Sequence, residues 1–178
     1  MSASAQSAYG TMIEPATLRI RRVLPGPIDR VWSYLTDGEL RRTWLAAGKM
    51  DLRPGTEFEL VWRNDELTTP AGARPKDFGD EHRMTSRIVA VEAPRLLVFT
   101  WGPRGEVAFD LEEDGEDVVL TVIHRRISDR PNTLMVGAGW HMHLDVLASR
   151  LSGTKTEPFW DGWMRLRQEY DRRLPAAT

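Results

Sequence analysis

Between residues 79 and 126 the chain reads GDEHRMTSRIVAVEAPRLLVFTWGPRGEVAFDLEEDGEDVVLTVIHRR. Residues that favour extended backbone recur through it in runs of strand length, Glu81–Glu92, Leu96–Trp101, Glu106–Leu111 and Asp117–Arg126. Ala93-Pro94, Gly102-Pro103-Arg104-Gly105 and Asp114-Gly115 punctuate these runs as turns. Connections this short force neighbouring strands to run antiparallel, because a parallel return needs a crossover of about a dozen residues or more. The segment is therefore predicted to be a meander.

Upstream, Thr17–Leu24 alternates with Leu18, Ile20 and Arg22 on one face and stops at Pro25-Gly26-Pro27. Ile28, Val31, Trp32 and Leu35 then recur at helical spacing as far as Asp37-Gly38, and Glu39–Leu45 forms a second short helix. After a turn at Pro54-Gly55, the alternation of Phe58, Leu60 and Trp62 predicts another half-buried strand. The polar stretch Asn64–Phe78 holds Pro70, Gly72 and Pro75 and reads as a long exposed loop or a distorted hairpin. Beyond Pro131 the period becomes helical, with Val136, Trp140, Leu144, Leu147 and Leu151 on one stripe and Asn132 or Thr133 as N-cap. Gly153 and Pro158 break or bend this helix before a final amphipathic set from Phe159 to Leu174.

A bent sheet with one apolar face needs a cover, and only the terminal helix is long enough to supply it. The expected class is α+β: a curved antiparallel sheet wrapped around a long C-terminal helix, with two short helices after the first strand. The gap between such a sheet and its helix is a natural pocket.

With 178 residues, 41% hydrophobic and 28% charged, the chain is expected to form one domain over 16–174 behind a flexible tail over 1–15. A formal net charge of -2 gives no bulk attraction for nucleic acid. The lack of cysteine removes disulfides, thiolate metal sites and cysteine nucleophiles together, and suits the cytoplasm. The first residues carry neither a basic start nor an apolar run, so neither a signal peptide nor membrane insertion is expected. Seven tryptophans are a bias toward large flat side chains that fill or line wide spaces.

The stretches Asp29–Asp37, Trp44, Leu52–Phe58, Ile88–Trp101, Thr121–His124 and Gly139-Trp140 with Leu144 and Leu147, in that order and spacing, resemble the activator of Hsp90 ATPase homologue-like branch of the START/Bet v 1-like (SRPBCC) superfamily. The resemblance runs from about Thr17 to Leu174 and implies the helix-grip fold with a deep cavity between sheet and long helix. It does not imply one reaction, because related branches bind lipids, sterols, polyketides or hormones and a few catalyse cyclisation or dehydration. Homodimers are common among its members, and nothing in this chain marks an interface.

The residues expected to line the interior are the aromatic side chains Trp44, Trp62, Phe99, Trp101, Phe109 and Trp140, with Met84 as an adaptable filler. Core packing is the plain alternative for each of them. His124, in phase with Leu120 and Val122, points to the concave face as a core histidine or a ligand contact. His143 falls three and four residues from Trp140 and Leu147 and is the better candidate for a polar contact with a ligand. His141 points to the other side of the same helix, so the pair is no chelate, and neither a metal nor a cofactor is expected. His82 reads as a solvated edge. No activated serine, carboxylate dyad or phosphate loop is present.

The first expected function is binding of a small hydrophobic or aromatic molecule, as carrier or sensor. A cavity enzyme of the cyclase or aromatase type, or an Hsp90 co-chaperone-like interaction module, are the alternatives. A strongly shifted titratable group in the pocket discriminates for the enzyme, and a large exposed apolar patch for the interaction module.

Overall fold

The computed structural model describes residues 7–175. The chain runs through β1 (Thr11–Glu14), β2 (Thr17–Pro25), α1 (Ile28–Thr36), α2 (Gly38–Arg41), β3 (Glu57–Trp62) and β4 (His82–Glu92). It continues through β5 (Leu96–Trp101), β6 (Gly105–Asp114), β7 (Asp117–Arg125), α3 (Arg130–Ser152) and α4 (Phe159–Arg173). The strands make one antiparallel sheet in the order β1-β2-β7-β6-β5-β4-β3. The meander holds as β4 to β7, and β2 returns to close on β7 with Leu18 opposite His124.

The alternation in each strand sorts its side chains between core and solvent. On β7, Val118, Leu120, Val122 and His124 are buried, and the facing Val107, Phe109 and Leu111 of β6 join them. This is the concave face, and α3 lies in it. The fold is the Bet v 1-like helix grip.

Three expectations change. Thr11–Glu14 pairs with β2, so the tail is shorter than the expected 1–15, and the portion over 1–6 lies outside the described residues. The N-cap of α3 is Asp129, whose carboxylate accepts from Asn132 N at 2.9 Å and frees Asn132 and Thr133 to enter the helix. The break expected at Gly153 and Pro158 is present: Gly153 takes the left-handed conformation at φ 70° and Pro158 restarts the chain as α4. α4 packs along α3, where Gly162 sits so close to Met142 that an added Cβ would meet the sulfur at 2.5 Å.

The stretch expected as an exposed loop or distorted hairpin, 64–78, is partly docked instead. It opens with a 3₁₀ turn at Asn64–Glu66, buries Leu67, and supplies the acceptors that Pro158 cannot offer to the start of α4. Phe159 N donates to Thr68 Oγ1 at 2.8 Å, and Trp160 N donates to the Ala71 carbonyl at 2.9 Å. Trp160 Nε1 donates to Asp65 Oδ1 at 2.7 Å, which ties the two segments a third time.

Two buried arginines fix the remaining backbone. Arg41 is 1% exposed with no carboxylate in contact; its guanidinium donates to the carbonyls of Ala46, Leu35 and Thr36 at 3.1 to 3.2 Å and to that of Gly48. Burial pulls its pKa down to about 10, against the pull of Asp37. Arg22, on the inward face of β2 as expected, pairs with Asp145 of α3 at 3.0 Å and donates to the Ala8 carbonyl. Beside it, Tyr170 Oη takes the amide of Gly10 at 2.8 Å and bonds His141 Nδ1 at 3.0 Å, so β1, α3 and α4 meet at one polar joint.

Candidate functional site

A cavity of about 510 Å³ opens between the β3–β5 end of the sheet and the two long helices. Its inner wall is a run of rings: Trp62 stands edge-on to Trp101 at 5.4 Å, and Trp101 lies 5.4 Å from Trp140. Its outer wall comes from α4 and the docked loop, where Phe78 lies 5.2 Å from Trp160 and 5.1 Å from Trp163. Between the walls the backbone of α3 passes at Gly139, where an added Cβ would meet nothing within 4 Å.

His143 is the polar group at the buried side, 6% exposed and packed on Phe159. Its Nδ1 lies 2.8 Å from the Trp44 carbonyl. A carbonyl only accepts, so Nδ1 carries the proton and Nε2 presents a lone pair. Nε2 makes no hydrogen bond to the described residues.

The sequence-predicted site residues divide into two groups. Trp62, Met84, Trp101, Trp140 and His143 line the cavity. Trp44, Phe99, Phe109 and His124 do not. The first three are at most 1% exposed and fill the core behind the inner wall, and His124 Nδ1 is taken by the indole N–H of Trp140 at 3.1 Å. Alternation gives the face of the sheet on which a side chain stands but not its depth along the strand, so core and cavity positions share one pattern. His82, read as a solvated edge, is exposed but stands at the mouth, 5.5 Å from Trp62. Sequence reasoning missed Phe78, Phe159, Trp160, Trp163 and Gly139. The signal for the tryptophans was their joint placement on one face of α4; for Gly139 it was a glycine in mid-helix with no turn to make.

Burial pulls His124 and His143 down to about 4, and pulls His141 to about 3 with help from Arg22, Arg165 and Arg173. All three rings are neutral in the fold at neutral pH. The unfolded chain takes up these protons near the ordinary 6.5, while the fold refuses them until about 4 or below. Their contribution is complete above the unfolded value and drains as pH falls, at up to about 1.4 kcal/mol per pH unit for each ring. The urea midpoint is therefore expected to drop steeply between pH 6.5 and 4. A flat midpoint over that window would mean that the rings accept protons inside the fold.

No helix among the described residues is long and apolar enough to cross a membrane, and no cluster of metal-ligating side chains occurs among them. A search of curated proteins finds no match. The solution structure of the protein encoded by gene BPP1335 of Bordetella parapertussis is 36% identical over 99% of this chain and 97% of that one, with a TM-score of 0.78. CalU16 of Micromonospora echinospora is 26% identical over 93% of this chain and 94% of its own, with a TM-score of 0.67. DynU16, from the dynemicin biosynthetic locus, shares the fold at 20% identity and a TM-score of 0.63 over 77% of this chain and 47% of its own. The family model described as "Activator of Hsp90 ATPase homolog 1-like protein" matches residues 25–152, and on that match the chain belongs to this family of the SRPBCC superfamily.

Proposed function

We propose that the protein binds a small, flat, largely apolar molecule in the cavity between sheet and helices, as a carrier or sensor. The observation that carries the reading is a ring-lined space whose lining holds two acceptors with no partner among the described residues, Nε2 of the buried His143 and the buried Asn64 Oδ1. Rings give area and shape, and the acceptors give orientation, which is the usual division of labour in small-molecule sites.

Gly139 supports the same reading from energetics. Glycine inside a helix is less favourable than alanine by about 0.8–1.0 kcal/mol. Packing does not require it here, since a Cβ would touch nothing; what it preserves is room. Gly139→Ala is therefore expected to raise stability by about 0.5–1 kcal/mol in urea unfolding. Gly139→Leu is expected to keep the fold while abolishing ligand uptake, read by native mass spectrometry of protein purified from its own host. Equal ligand retention by wild type and Gly139→Leu would remove the cavity from consideration.

The enzyme reading loses support from the direction of the histidine shift. A strongly shifted group is present, but His143 moves to about 4, away from the neutral range where a general base works best. The interaction-module reading is not favoured by the surface either. Ile13, Val23, Val89, Met135 and Met164 are exposed large apolar side chains, and they stand on five different elements.

A further inference from the structure

Resting on that reading, we infer that the preferred ligand is a ring-bearing molecule with a cationic amine, and that carboxylates and phosphates of the same size are refused. Four features of the site converge on this choice. The polar group at its buried side, His143, is more than nine-tenths buried and offers Nε2 as a lone pair. It can receive N–H and O–H donors and repels an oxyanion. The walls are ring systems, whose faces carry the negative end of the aromatic quadrupole and attract cations.

The mouth repeats the same sign. Asp77, Asp80 and Glu81 stand there exposed, and no lysine or arginine belongs to the lining. Glu81 is neutralised by Arg63 at 2.8 Å and Arg83 at 3.0 Å, whereas Asp77 and Asp80 make no ion pair among the described residues.

Helix N-termini are common places for an anion to be held, and the first amides of both that reach the cavity are already taken. In α3, Asn132 N is taken by the Asp129 carboxylate at 2.9 Å. In α4, Phe159 N and Trp160 N are taken by Thr68 Oγ1 and the Ala71 carbonyl, and Asp161 adds a negative charge to the first turn. Neither helix start leaves its first amides free for an oxyanion, and the two unpaired charges at the rim, Asp77 and Asp80, favour a cation.

The test uses the full chain and three naphthalenes of one shape: 2-(aminomethyl)naphthalene, 2-(hydroxymethyl)naphthalene and 2-naphthoic acid, titrated by tryptophan fluorescence at neutral pH. The amine is expected to bind tightest and the acid weakest, with about tenfold or more between them. The double variant Asp77→Asn with Asp80→Asn is expected to narrow the gap between amine and alcohol. Acid binding within about twofold of the amine, or an amine-to-alcohol ratio untouched by the double variant, overturns the cationic preference and leaves the cavity reading standing. If none of the three binds to wild type, and the host-derived ligand is also absent, the cavity reading falls and this inference falls with it.

Discussion

Arg41→Met is expected to lower stability by about 3 to 5 kcal/mol, the largest loss of any single substitution in the short helices and the connection that follows them. The guanidinium is nearly inaccessible and holds four backbone carbonyls, those of Leu35, Thr36, Ala46 and Gly48. Methionine fills much of the volume and donates nothing, so the carbonyls lose their partner at once. A buried acceptor left without one costs about 1 to 3 kcal/mol, and several here share one donor. The damage reaches the site, because the bridged segment also carries the Trp44 carbonyl that holds His143 Nδ1. Arg41→Lys is expected to recover only part of the loss, since one ammonium cannot spread its donors as the planar fork does. Urea unfolding of both variants measures this. A loss below about 1 kcal/mol for Arg41→Met would show that the carbonyls find water instead.

Trp140→Ala is expected to cost about 3 to 5 kcal/mol and to weaken ligand binding in the same variant. The indole is 4% exposed, packs 5.7 Å from Phe109 and 5.4 Å from Trp101, and gives its N–H to His124. Its removal joins the core to the cavity and orphans a buried imidazole nitrogen. Trp140→Phe separates the two effects. It keeps most of the ring and should cost about 1 to 3 kcal/mol, chiefly through the unpaired His124 Nδ1. If both variants unfold at the wild-type urea midpoint, α3 is not held to the sheet through this residue.

Much of the fold was legible because its periods are clean. Val118, Leu120, Val122 and His124 alternate without interruption, and turns such as Asp114-Gly115 leave β6 and β7 no choice but to pair. β1 escaped because Thr11–Glu14 is short and mostly exposed, so it shows no buried face to read. Within the site, His143 was legible from its spacing to Trp140. Its partner was not, because the Trp44 carbonyl lies 99 residues away and a backbone carbonyl leaves no mark in a sequence. Arg41 looked like any charged residue of a short helix for the same reason. Trp160 and Trp163 read as an amphipathic face, and what that face meets is the polar stretch 64–78, whose composition gives no hint of docking.

The union of that stretch with α4 also bears on how the molecule is made. Thr68 and Phe159 are 91 residues apart, Asp65 and Trp160 are 95, and Ala73 and Asp161 are 88. A nascent chain that has exposed everything as far as α3 can already close the meander and seat its helix, yet it owns a groove rather than a chamber. Only when α4 leaves the ribosome does the outer wall rise, so the chamber is the last part of the molecule to be completed.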